Sequence, residues 1–319
     1  MEYRKLISFG KSSYVVSLPK GWVVQNKLKK GDLIYLEESG PNLILTSHVD
    51  SNNIKEKESI IDVDGKDVRL IDREVSSAYI QNNRLITLKG KEIKSKVKEL
   101  QSTIQNLMAL EVMEQTPESI VAKDFLNMDT VSVKEIVGKM DIVTRTMFGE
   151  ACEIFNEDTY PGINERDKDV DRLYFLLYRA VLFNLDNLTH ALKKFKLTSV
   201  DLFAYHSIGF YIEGVADEVK RTTRYLRKLK ISRADKTEIE NMLKGLQKLY
   251  LGTMKALYNK DINLALKLSQ EKLAMNDVLN DLESRNISVE SFSKAVSRIR
   301  TLASHIHNLG RIVYTLSNY

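Results

Sequence analysis

Cysteine is nearly missing from this sequence: Cys152 stands alone among 319 residues. One thiol excludes an internal disulfide framework and any Cys-x-x-Cys pair, and it suits a reducing compartment. Long apolar runs are missing too. The longest, Tyr174 to Phe183, is broken by Arg179 and is too short to span a bilayer, so no membrane insertion is expected. The opening MEYRKLISFGK has no apolar stretch of the secretory kind, and a cytoplasmic location is the expectation. There is also no phosphate-cradling glycine-rich loop and no nucleophile elbow, which leaves the common enzyme classes without their signatures.

What remains is an ordinary globular mixture, 43% hydrophobic and 29% charged, in a chain long enough for two or three domains. The net charge of +5 says little by itself, but its distribution is uneven. Arg4, Lys5, Lys11, Lys20, Lys27, Lys29 and Lys30 face a single acid, Glu2, within the first thirty residues. Such a segment is able to follow a phosphate backbone, although a solvated lysine-rich surface has the same composition.

Residues 3–47 alternate as strands around one short helical stretch. YRKLISF and SSYVVSLP are punctuated by Gly10, LPKGWVVQNKL carries Pro19 at a helical start, and KKGDLIYLEES and NLILTS flank a turn at Ser39 to Asn42. Forty-five residues bury too little surface to be stable alone, so a second copy is expected to complete the sheet. In that setting Trp22 and Tyr14 are expected to pack in the hairpin core.

The run RKLISFGKSSYVVSLPKGWVVQNKLKKGDLIYLEE resembles an AbrB/SpoVT-type swapped-hairpin domain. The resemblance rests on the basic first strand, the Gly10 turn, Val15-Val16-Ser17-Leu18-Pro19-Lys20, and Leu28-Lys29-Lys30-Gly31-Asp32. It implies an interlocked homodimer that contacts DNA through basic residues, here Arg4, Lys5, Lys11 and Lys20. Some members of that family use the domain only to dimerise.

Residues 48–59 are polar and read as a linker. Residues 60–131 read as a small α/β connector: SIIDVD and RLITLK as strands flanking a helix near Val68 to Ile80, then a helix in KEIKSKVKELQSTIQNLMAL and strands in LEVMEQT and ESIVAKDF. From Ser132 onward the chain is helical. Ser132 to Glu135, Thr198 to Asp201 and Ser232 to Asp235 are helix-start patterns. Apolar spacing and breaks predict six long helices in two sets of three, residues 132–230 and 231–319. The expected fold is therefore multidomain α+β: a β-rich hairpin domain at 1–47, the linker, the connector, and an all-α body of two three-helix bundles.

Carboxylate spacing carries the chemistry. Asp167 and Asp171 lie four apart and share a helix face, as do Glu165 and Asp169; one helix later Glu213 and Asp217 repeat the spacing. Like charges so placed repel and invite a cation, and two such helices side by side would gather oxygen ligands suited to magnesium, manganese or iron. Composition alone yields roughly six acid pairs at this spacing, and acids in a first turn also favour the helix dipole.

ERDKDVDRL followed by IEGVADEV resembles the paired acidic motifs of PhoU, the phosphate-uptake regulator family, over residues 132–319. That resemblance implies a divalent or ferric ion held by Asp167, Asp171, Glu213 and Asp217. It also implies a regulator of phosphate homeostasis working with DNA, a phosphate ABC-transporter component or a sensor kinase, and not an enzyme. A protein that only restrains a transporter, with its hairpins used for dimerisation, is the alternative; a metal-dependent phosphoester hydrolase is the third reading. The second set departs from the pattern. It offers Asp277 and Asp281, but Arg300 and Ser304 align with the other two acids, so Arg300 is expected to meet Asp277 or Asp281 in place of a metal. His305 and His307 are expected to pack or face solvent, and Cys152 to be inert.

Overall fold

The computed structural model describes residues 3–11, 13–39, 42–47, 57–270 and 273–316. The chain divides into two units, Met1–Lys55 and Glu56–Tyr319. In the first, β1 (Ile7–Phe9) pairs antiparallel with β2 (Ser13–Val15), and Gly10 takes the turn at φ +71°. A short helix α1 (Lys20–Gln25) follows Pro19, then β3 (Tyr35–Ser39) pairs with β4 (Asn42–Thr46). The tip of that second turn, residues 40 and 41, lies outside the described residues, as does most of the expected linker, residues 48–56.

No described residue of this unit is buried. Leu6, Ile7, Phe9, Leu33 and Leu36 are exposed, which is what a strand-rich segment without a partner sheet must show. Tyr14 is 70% exposed in the single chain. One expectation changes: Arg4 and Lys5 precede β1 and do not lie within it.

The second unit begins at β5 (Glu58–Asp62), so Glu58 and Ser59 are strand and not linker. Helix α2 (Val68–Ile80), β6 (Leu85–Lys89), α3 (Ile93–Gln105), β7 (Leu110–Thr116) and β8 (Ser119–Asp124) complete a four-stranded sheet. Its order is β5-β6-β8-β7, with β5 and β6 parallel and the other pairs antiparallel. Every second residue of β8 is buried (Ile120, Ala122, Asp124), the pleat alternation that turns one sheet face onto Ile71, Val75, Leu100 and Ile104 of the two helices.

The rest is helical: α4 (Val133–Cys152), α5 (Tyr160–Asp186), a short α6 (Leu188–His190) running into a π-turn (Ala191–Phe195), α7 (Ser199–Leu226), α8 (Arg233–Asn259), α9 (Ile262–Ser269), α10 (Leu273–Arg285) and α11 (Phe292–Leu316). The three helix starts behave as their sequences predict. Ser132, Thr198 and Ser232 each accept a hydrogen bond from the backbone N–H three residues on, and Asp201 returns one from the Thr198 backbone. The middle helix of the second set is two pieces, α9 and α10, where the sequence predicts one. One continuous core, from Met128 to Leu309, joins both sets of helices.

Two features fix α5, which carries the first acid pair. Its neighbour α7 runs antiparallel and approaches closely at Gly209, where a Cβ would stand 2.1 Å from Cδ2 of Leu177. Farther along α5, Arg179 reaches the sheet: its guanidinium ion-pairs with Asp124 at 2.5 Å, donates to Asn82 Oδ1 at 2.9 Å and covers the Tyr79 ring at 4.5 Å. Arg179 and Asp124 are both fully buried, so the α/β layer and the helical body are locked together through this helix.

Candidate metal centre

Asp167 and Asp171 sit one turn apart on α5, and Glu213 and Asp217 one turn apart on α7. Because the helices are antiparallel neighbours, the two pairs lie on facing turns, and Lys220 bridges Asp167 to Asp217. Asp167 is 3% exposed and the other three are half-buried. The two unpaired acids feel both burial and their neighbours. Burial first, then the charges of Asp167 and Asp217, push the Asp171 carboxyl up to about 6. Burial, then Asp171, Asp217 and Asp167, push Glu213 to about 7.

Lys220, one turn beyond Asp217, extends into the group. Its ammonium ion-pairs with Asp167 and with Asp217 Oδ1, the latter at 3.0 Å. Burial works against this charge, but bonds to Asp167 and Asp217 outweigh it and hold the ammonium above its ordinary pKa. For Asp167 the balance goes the other way: burial outweighs Lys220, and its pKa is raised. Arg221 takes the second oxygen of Asp217 at 2.6 Å. Asp171 and Glu213 make no hydrogen bond or ion pair, and they are the two acids most strongly shifted.

Carboxylate oxygens are the hard donors that magnesium, manganese or ferric iron prefers. As the side chains are placed, no three His, Cys, Asp or Glu among the described residues are close enough together to share an ion, and the Lys220 ammonium bridges Asp167 and Asp217. A cation would need the long, rotatable lysine stem to withdraw and the acids to draw together. Asp167, Asp171, Glu213 and Asp217 are the residues that would hold it.

The other acid pair, Glu165 and Asp169, is exposed and spends itself on Lys168 and Arg172 of the same helix. In the second set the Arg300 expectation is corrected. Its guanidinium donates to Asn280 at 2.8 Å and pairs with Glu283 at 3.0 Å, reaching neither Asp277 nor Asp281. The phase of α10 explains the change: Leu279, Leu282 and Asn286 are buried, which leaves Asp277 and Asp281 exposed, and Asp281 pairs with Arg285 instead. Cys152 is buried, and desolvation pushes its thiol above the usual range. His305 packs its ring beside Tyr211 and Gly214.

Sequence reasoning missed Lys220, Arg221 and Glu218. A signal was present in Asp217-Glu218-Val219-Lys220-Arg221, where two cations fall three and four residues after an acid. The basic residues expected to contact DNA, Arg4, Lys5, Lys11 and Lys20, are all exposed. No described helix is long and apolar enough to cross a membrane. No protein-family model matches the sequence, and no curated protein matches it.

Proposed function

We propose that this chain is a regulator of phosphate uptake, in which a cation-responsive helical body of two three-helix bundles is joined to a dimeric, DNA-contacting hairpin module. The observation that carries this reading is the placement of Asp167, Asp171, Glu213 and Asp217 on facing turns of antiparallel helices, with Asp171 and Glu213 in no ion pair. The motif resemblance gives the cluster its biological direction. The exposed bases of the first unit supply the DNA-contacting face.

A genome-wide crosslinking map of the tagged protein, made in phosphate-rich and phosphate-starved cells, tests the reading. Occupancy beside phosphate-transport genes, lost when Arg4, Lys5, Lys11 and Lys20 are all replaced by alanine, is the expected result. Absence of occupancy, or occupancy indifferent to the four substitutions, rejects DNA contact.

One observation favours the alternative, a transporter-restraining protein that uses its hairpins only to dimerise. The first unit buries no described residue, so its apolar side chains need a second copy whether or not DNA is bound. Dimers that persist in the four-alanine variant, with transport still restrained, would single out that alternative. The hydrolase reading has no residue beyond the acids to support it.

A further inference from the structure

The acid cluster is the start of a longer chain of ion pairs. From α5, Asp167 meets Lys220; Lys220 meets Asp217; Asp217 meets Arg221 at 2.6 Å; Arg221 meets Oε1 of Glu218 at 2.9 Å. The same Oε1 accepts from Arg298 of α11 at 3.2 Å. Three helices are thus threaded by alternating charges. The last acid is unusual: Glu218 is 2% exposed, and its second oxygen, Oε2, is buried without a hydrogen-bond partner. A buried carboxyl oxygen left without a partner is costly, and a second donor is welcome there. Its immediate surroundings are tight. At Gly214, one turn earlier on α7, a Cβ would stand 2.7 Å from Nδ1 of His305, so α7 and α11 are in close contact beside this carboxylate.

Arg221 is shared between two acids, Asp217 and Glu218, and Glu218 is shared between two arginines, Arg221 and Arg298. A change of partner at one end must therefore be felt at the other. We infer that this relay couples the acid cluster on α5 and α7 to the grip of α11 on α7. When a cation takes Asp217, Arg221 loses that partner and turns its planar fork onto both oxygens of Glu218. Arg298 then faces added positive charge at an acid already satisfied, and its hold weakens. The output of the cluster is a loosened α11, delivered to the second set of helices and not to solvent.

The ligand part of this inference rests on the cation reading above; the relay itself does not, and two measurements on the full chain separate them. The first is a double-mutant cycle in urea between Asp217→Asn and Arg298→Met, with Asp217→Asn and Arg300→Met as the control pair. The relay predicts that the first cycle departs from additivity by at least about threefold in the unfolding constant, while the control is additive. Additivity in the first cycle overturns the relay.

The second measurement is hydrogen exchange over residues 298–306 with and without manganese, with bound metal assayed in the same samples. Exchange should quicken about twofold to thirtyfold on binding in the wild type, and not in Glu218→Gln. Bound manganese with unchanged exchange overturns the coupling. Manganese that does not bind overturns the cation reading and leaves the relay to be decided by the cycle alone.

Discussion

The α5–α7 pair of the first helical set and the α10–α11 pair of the second occupy equivalent places in the sequence pattern, yet their charges are settled differently. In the first, Lys220 and Arg221 pair with Asp167 and Asp217, while Asp171 and Glu213 stay unpaired, both raised first by burial and then by neighbouring acids, Asp167 and Asp217 for Asp171, and Asp171, Asp217 and Asp167 for Glu213. In the second, Arg300 is neutralised by Glu283, Arg285 by Asp235, Glu238 and Asp281, and Asp277 faces solvent. The difference comes from helix phase as much as from residue type. Acids four apart matter only where the buried stripe of their helix turns them toward a neighbour. The first place keeps two half-buried acids without an ion pair, and the second turns Asp277 out to solvent.

Removing the cation from each place should expose that contrast most strongly. Lys220→Met takes the ammonium from a pair whose side chains are 16% and 5% exposed, and metal-free protein should lose about 3 kcal/mol in urea unfolding. Added manganese should recover most of that loss. A loss below about 1 kcal/mol would mean that the acids simply protonate or spread apart.

The acids themselves give the next effect. Asp171 and Glu213 have folded pKa values raised to about 6 and about 7, so the folded state holds protons that the unfolded chain has already released. The stability they contribute is intact below pH 4 and falls as pH rises to about 7 and beyond. After allowance for solvent screening, the coupled pair should account for about 2 kcal/mol of that fall. Stability measured against pH in the metal-free protein should therefore slope downward more steeply in the wild type than in Asp171→Asn/Glu213→Gln. Parallel curves would mean that burial and the neighbouring acids do not raise these two groups.

The smallest effect belongs to the second place. Arg300→Met breaks a half-exposed pair with Glu283 and should cost only about 0–1 kcal/mol, with no response to manganese. A cost comparable to that of Lys220→Met would erase the distinction between the two places.

Much of this was legible in the sequence, where local chemistry dictates structure. The caps at Ser132, Thr198 and Ser232 and the helix over Val68 to Ile80 follow from side chains that bond their own backbone or repeat at helical spacing. The α5–α7 acid pairs were legible for the same reason. Contacts made across space were not. The Arg300 partner depended on the rotation of α10, which is set by Leu279 and Leu282 packing, and the break between α9 and α10 carried no glycine or proline to announce it. Lys220 was hidden because an acid-x-x-lysine spacing reads as a surface pair, whereas here the lysine crosses to Asp167 on another helix. The burial of Arg179 against Asp124 joins residues 55 positions apart, and no local pattern marks it.

Equilibrium dialysis of the full chain against manganese, followed by elemental analysis, decides whether the α5–α7 acids hold a cation. Three proteins are compared: the wild type, Asp171→Asn/Glu213→Gln, and the control Asp277→Asn/Asp281→Asn. Metal should be retained by the wild type and the control and lost from the first variant. Equal metal in all three, or loss confined to the control, would contradict it.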